Sequence, residues 1–347
     1  MFDFFIGILF FVSSFSFSEF TEIKSCDNDD SFSIVCGFQN PEDLYLSPSQ
    51  NKIIISEFGS LAPNTKYGKI SFYDLVTESK GIPNFFYEKN AWGDPKCVLK
   101  SRQLSPHGID LIQRDDGRYM LAVVNHLPSE SIELFELVEN DSIELIWRGC
   151  IDAPENKYFN DVALKTDGSF YITHMYDFDS SQWAIAYASM IKNPTGEVYF
   201  WNIDEGFVSV PNTKGSFPNG IDLDANEENL YINYWFSGKT VKFNLKSLSA
   251  EFEHLGGGKD NLLVTDSGLW VAAHDYSGLE SLQCDYSIIQ CPLPFTIHHL
   301  ALENLDVLGV YSFSKGQMGA ATVALPYENK IWLGSFHGDR IASFELK

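Results

Sequence analysis

The chain has 347 residues, 44% of them hydrophobic and 15% aromatic, which is enough apolar material for a large core and excludes a disordered chain. Its 47 acidic and 24 basic residues leave a formal charge of −23, and without a basic face no nucleic-acid partner is expected. An acidic excess of this size suits an extracellular protein or one that concentrates cations, and does not choose between them.

The chain opens on an apolar run, Met1–Val12, shorter than the roughly 20 residues needed to span a membrane. Small residues at Ser16 and Ser18 follow it, resembling a signal-peptidase site. Residues 1–18 are therefore expected to be a secretory signal, although Asp3 stands where Lys or Arg is usual. Left uncleaved, the same segment would give weak membrane association as an anchor. Residues 19–347 show no low-complexity linker or break in composition and read as one domain.

Within that domain one unit recurs six times: a polar opening, a short apolar strand, a turn rich in Asp, Gly, Asn, Ser or Pro, and a second apolar strand. The copies are Pro41–Ser56, Pro106–Asn125, Phe159–His174, Pro218–Asn233, Lys259–Ala273 and Met318–Gly334, starting 65, 53, 59, 41 and 59 residues apart. Each interval leaves room for a second hairpin, and four strands at this period describe a propeller blade. The expected fold is all-β, a six-bladed propeller. A sandwich has no reason to reuse one hairpin pattern six times. A helical insertion is expected near 180–191, after the third copy, where apolar residues run on without turn residues.

The cysteines are Cys26, Cys36, Cys97, Cys150, Cys284 and Cys291. An even count in a secreted chain suggests disulfides. Cys26 with Cys36 and Cys284 with Cys291 would close small loops, leaving Cys97 and Cys150 by elimination; buried free thiols remain the alternative. Asn140-Asp141-Ser142 is a glycosylation sequon, consistent with secretion.

The innermost strands of a propeller line its central tunnel, so matching positions in different copies converge on the axis. The opening residues of the copies are Glu42-Asp43, His107, Asn160-Asp161, Asn219, Asp260-Asn261 and, in the sixth, Gly319-Ala320. Turn chemistry accounts for one or two such dipeptides, but poorly for five at one register. Buried carboxylates and carboxamides on one axis are costly unless a positive charge pairs with them. Hard oxygen donors suit Ca²⁺, which takes 6–8 oxygens at about 2.3–2.6 Å, whereas zinc would want His or Cys and magnesium would keep its waters. A calcium ion with an open position can polarise a carbonyl, and His107 is placed to activate water, with His126 at the end of the partner strand to orient it.

These residues resemble the motifs of the paraoxonase/arylesterase family of calcium-dependent lactonases. The matching segments are Ser105–Ile109, Val123–His126, Asn160-Asp161, Pro218–Gly220 and Asp260-Asn261, in family order, within a likeness that runs from about Glu42 to His337. The resemblance implies a catalytic calcium held by Glu42, Asn160, Asn219, Asp260 and Asn261. It implies a second, structural calcium on Asp43, Asp161 and the carbonyl of Ile109. It also implies a dyad of His107 and His126, a further active-site histidine at His274, and Asp260 as a rival base or nucleophile. The implied substrates are small lactones and aryl esters. The family's disulfide between its two ends finds no cysteine in Ser343–Lys347, so closure is expected from pairing of residues 31–38 with the last blade. The family's unpaired cysteine falls on Ala273, and Ser180–Ile191 does not match closely, leaving substrate choice the least transferable property. Gluconolactonase-like or strictosidine-synthase-like propellers, and a non-catalytic propeller stabilised by calcium, are the competing readings.

Overall fold

The protein was described from a computed structural model covering residues 23–60, 66–277, 280, 284 and 289–346; the expected signal at 1–18 lies outside these residues. After strand β1 (Ser33–Cys36), the chain lays down six antiparallel sheets in sequence order. The first blade is β2 (Pro41–Leu46), β3 (Lys52–Glu57), β4 (Lys69–Asp74) and β5 (Ser79–Gly81). Strand β6 (Asn84–Gly93) leads to the second blade, β7 (Pro106–Gln113), β8 (Tyr119–Asn125), β9 (Ser131–Glu139) and β10 (Ile143–Asp152), and runs parallel to β10 as a fifth, outer strand. The third is β11 (Lys157–Leu164), β12 (Phe170–Asp177), β13 (Glu197–Asn202) and β14 (Gly206–Ser209), with helix α1 (Gln182–Ile191) between β12 and β13.

The fourth blade is β15 (Pro218–Leu223), β16 (Asn229–Tyr234), β17 (Lys239–Asn244) and β18 (Ser249–Leu255). The fifth is β19 (Gly258–Thr265), β20 (Gly268–His274), β21 (Phe295–Leu300) and β22 (Val307–Phe313). The sixth, β23 (Ala321–Tyr327), β24 (Lys330–Ser335) and β25 (Arg340–Glu345), takes β1 as its outer strand, Ser33 opposite Ser343. The six-bladed propeller and the helix near 180–191 thus stand as the repeat implied. The fifth strand of blade two was not anticipated.

Apolar strand faces pack blade on blade. Ile54, Ile70 and Phe72 of the first meet Ile109, Leu111, Leu121 and Phe135 of the second in one cluster, and like clusters fill the later junctions. Ser181 caps α1 by accepting from Ala184 N, and the helix stops at Lys192 in the left-handed region. Among the described residues no helix is long and apolar enough to cross a membrane.

The ring is closed where the sequence required it. Disulfide Cys26–Cys36 pins the segment before β1, and the fully buried Arg340 donates to the carbonyls of Ser25 and Gln317 and to Asp339. Disulfides Cys97–Cys150 and Cys284–Cys291 also form, so all three expected pairs are present.

Closure rests on few ladder bonds, which makes it testable. Ile34 N turns away from β25 to Asn28, so Val35 N points toward it. Val35→Pro would leave a buried carbonyl of β25 unpaired and is expected to cost roughly 1–3 kcal/mol, read as a lower urea midpoint. An unchanged midpoint would show that Arg340 and the disulfide close the ring without the strand.

Candidate active site

Every innermost strand loses register where the site residues stand. The irregularities fall between Pro41 and Asp43, Pro106 and Ile109, Phe159 and Val162, Pro218 and Ile221, Lys259 and Leu262, and Ala321 and Ala324. A regular strand sends consecutive side chains to opposite faces; a bulge frees two neighbours from that alternation. Consecutive residues such as Glu42-Asp43, Asn160-Asp161 and Asp260-Asn261 can then both serve the tunnel. Glycine takes the intervening places because nothing larger fits. A Cβ on Gly108 would lie 2.3 Å from Asp161 Oδ1, and one on Gly220 2.6 Å from Asn261 Cα. Turn geometry is not what His107-Gly108 and Asn219-Gly220 encode.

The structure brings the expected residues together in two layers. In the outer one Glu42, Asn160, Asn219, Asp260 and Asn261 are all buried. Asn261 Nδ2 donates to Glu42 Oε1 at 2.9 Å. Four of their oxygens, Glu42 Oε2, Asn160 Oδ1, Asn219 Oδ1 and Asn261 Oδ1, accept no hydrogen bond although fully buried. Native interiors leave few polar atoms in that condition without an ion or water to explain them. The donor set, oxygens on rigid strands without sulfur, fits a hard cation such as calcium.

Deeper in the tunnel lie Asp43 and Asp161, bonded differently. Asp43 accepts from its neighbour Leu44 N and, one blade on, from Ile109 N, both at 2.8 Å. Asp161 repeats this with Val162 N and Ile221 N. Asp110 and Asp222, which the sequence reading passed over, do the same with Leu111 and Leu164 and with Leu223 and Val264. Each carboxylate therefore bridges to the next blade while keeping lone pairs to spare. Asp43, Asp161 and Ile109 are adjacent as the second-ion expectation needs, but no orphaned atom marks that layer.

Burial is the main electrostatic fact. It raises Asp260 to about 8 and Asp43 to about 7, and lifts Glu42 and Asp161 well above the usual carboxylate range, with neighbouring carboxylates adding to it. Burial, and then His126, holds His107 well below its ordinary value. His107 Nε2 approaches Glu42 Oε1 at 3.7 Å.

The histidines form a directed chain. Glu130 Oε1 lies 2.6 Å from His126 Nδ1, and His126 Nε2 lies 2.8 Å from His107 Nδ1. As a carboxylate, Glu130 accepts, so His126 carries its proton on Nδ1 and receives the His107 Nδ1 proton on Nε2. The lone pair of His107 Nε2 faces the outer layer, where it accepts from Asn160 Nδ2 at 3.3 Å. Tyr158 stacks on His126 at 4.4 Å and Phe58 packs on His107 at 5.1 Å, fixing both rings. His274, pushed by burial to about 3, accepts from the indole of Trp235 at Nδ1. Its proton is therefore on Nε2, which sits 3.2 Å from Asp260 Oδ2.

Glu130 and Trp235 were missed. Glu130 stands four residues after His126, and Trp235 follows β16 as His126 follows β8, so strand-end register held the information. Aromatic contacts then run from blade to blade around this end of the tunnel: Phe58 to His126, Tyr158, Tyr176, Phe217, Trp235, His274 and Phe336.

The chain is similar to known proteins over most of its length. The sequence model of the family described as Arylesterase matches residues 41–341. Mechanosensory abnormality protein 6 of Caenorhabditis elegans is 27% identical over 58% of this chain and 51% of its own length, so the chain spans about half of that relative. Serum paraoxonase/arylesterase 2 of Gallus gallus is 27% identical over 67% of each chain. Among solved structures, a luciferin-regenerating enzyme superposes with TM-score 0.51 at 11% identity over 90% of this chain and 92% of its own. A gluconolactonase from Xanthomonas campestris gives 0.50 at 11% over 90% and 88%. At these identities the superpositions speak for the fold alone.

The buried acids set a pH dependence of known sign. Unfolded Asp and Glu titrate near 3.9 and 4.3, so the folded chain, with raised values, binds more protons. Their contribution is fully present below about pH 4 and is lost as pH rises through about 7 and 8, the values for Asp43 and Asp260. The buried histidines, held neutral, act in the opposite sense up to about pH 6.5, so without divalent cations the urea midpoint should fall from about pH 6.5 to pH 8. A midpoint that climbs over that interval would contradict the raised values.

Proposed function

The chain belongs to the arylesterase family, and from that premise we propose that it is a calcium-dependent hydrolase of lactones and aryl esters. The observation that carries the reading is the set of four orphaned oxygens of Glu42, Asn160, Asn219 and Asn261, beneath the outward lone pair of His107. Glu42, Asn160, Asn219, Asp260 and Asn261 would hold the catalytic ion. Asp43, Asp161 and the Ile109 carbonyl would hold a second, structural one. Bound there, calcium would polarise the substrate carbonyl and stabilise the oxyanion that develops on it.

The side chains have separate tasks in this reading. His107 Nε2 takes a proton from water, and the charge that forms on its ring is shared through His126 with Glu130. His274 Nε2 stands 3.2 Å from Asp260 Oδ2 without a hydrogen bond, beside the group that would serve as ligand, or as base if His107 does not. The aromatic collar around the mouth would receive an apolar ring or acyl chain while the reacting carbonyl faces the oxygens. Three disulfides support export to an oxidising compartment.

A second reading has its own support. One relative bears a mechanosensory rather than an enzymatic name. A propeller that keeps calcium for stability and binds partners with its faces would retain the ligands without turnover.

Two experiments divide these. Chelation should abolish hydrolysis across a lactone and aryl ester panel and lower the unfolding midpoint, with calcium restoring both. A midpoint that responds while no substrate turns over favours the binding propeller, and indifference of both measures removes the metal. In the relay, His107→Gln should cut turnover by about 10²–10⁴ at unchanged calcium affinity. Glu130→Gln should shift the acid limb of the kcat/KM profile with little change in KM. Equal turnover in His107→Gln would move the base to Asp260.

A further inference from the structure

A second polar cluster lies outside the tunnel, in the seam between blades four and five. On blade four, Asn233, Thr240 and His254 form one cross-strand row. That row faces blade five, since Asn233 Nδ2 bonds the carbonyl of Asp260 at 2.5 Å and Thr240 bonds Asn233. On blade five, Lys259, Ala273 and Thr296 form a row, and His298 lies two residues beyond Thr296 on the same face. The two histidine rings meet across the seam at 4.8 Å. In the same seam Tyr231 of blade four packs on Leu262, Leu269 and Val271 of blade five, so the polar cluster takes up only part of it.

Three buried nitrogens of the cluster make no hydrogen bonds among the described residues. Lys259 is fully buried, and its Nζ meets no acceptor among them. Nδ1 of His254 and Nδ1 of His298 are likewise buried without a partner. The nearest carboxylate felt by Lys259, Asp275, is exposed and accepts from Thr296 Oγ1 at 2.6 Å. Burial opposes the ammonium form of Lys259, lowering it to about 7, and an anion beside Nζ would restore that form. A metal ion would have to sit beside that ammonium, which disfavours it. An oxyanion instead brings several acceptors for three nitrogen donors. Both imidazoles are only half-buried and form the rim through which it would enter. Beside them Gly256 tolerates a Cβ in ordinary contact, 3.7 Å from the ring of His298, whereas Gly257 and Gly258 are closely packed.

We propose that this seam is a binding site for a small oxyanion, held by Lys259 Nζ with His254 and His298. The chain's formal charge of −23 would repel an extended polyanion, so the ligand is a free anion or the single anionic end of a small molecule. Because Lys259 directly precedes Asp260, an occupant would also brace the strand that carries two residues of the tunnel's outer layer.

The test uses the full chain with its histidines labelled with ¹⁵N, titrated with sulfate at constant ionic strength against chloride, and separately with acetate. The His254 and His298 signals should move together and saturate, while that of His174, buried in blade three, stays still. Saturation by acetate alone identifies a carboxylate end, and saturation by sulfate as well a tetrahedral anion; either supports the site. Lys259→Met should weaken the apparent affinity by about ten-fold or more, the scale of one charge-assisted hydrogen bond. If that variant does not fold, the double variant His254→Gln, His298→Gln should lose the rise in unfolding midpoint that the anion gives the native chain. No saturable shift in the native chain, or an undiminished one in Lys259→Met, overturns the proposal; a lysine bridged to Asp275 through solvent alone would give that result.

Discussion

The structure depends on how the innermost strands of five blades tolerate acids at a common axis. Asp43, Asp110 and Asp161 are buried there with Asp222 half-buried, and Asp43 and Asp110 raise the proton affinity of their neighbours. What holds them is the backbone of the next blade: each carboxylate takes one N–H from its own strand and one from the strand beside it. The same group thus supplies adhesion between blades and repulsion along the axis. Adhesion is local and short-ranged, whereas repulsion sums over the cluster in a low dielectric. A divalent cation would reverse the second without touching the first, which ties ion binding to the stability of the whole ring.

Much of this was written in the sequence in a form that survives folding. A repeated hairpin pattern specifies blades because each hairpin buries its faces only against a neighbour, and six such units can do so only in a ring. Matched registers then place Glu42, Asn160, Asn219, Asp260 and Asn261 together although 219 residues separate Glu42 from Asn261. What stayed hidden depends on three-dimensional pairing. Strand β6 joins blade two by parallel pairing with β10 across some 60 residues, for which no local pattern exists. Asp110 and Asp222 read as ordinary polar positions in alternating strands, since the bulges that turn them inward leave no mark on composition. Glu130 lies in a turn between β8 and β9, where an acid is unremarkable until His126 is seen above it.

The bulges also explain how one short segment can serve two environments. In a regular strand Lys259 and Asn261 would share a face and Asp260 would oppose them. The loss of register between Lys259 and Leu262 breaks that rule. Lys259 keeps the sheet's row and points into the seam, while Asp260 and Asn261 both belong to the tunnel. Lys259 and Asp260 thus follow one another in the chain without pairing. Had they paired directly, Asp260 would have been spent as a ligand and Lys259 as a donor. Separating them costs burial of each alone, and a fold keeps such a cost only where a partner for each arrives from outside the chain. For Asp260 the partner would be a cation on the axis, and for Lys259 an anion in the seam.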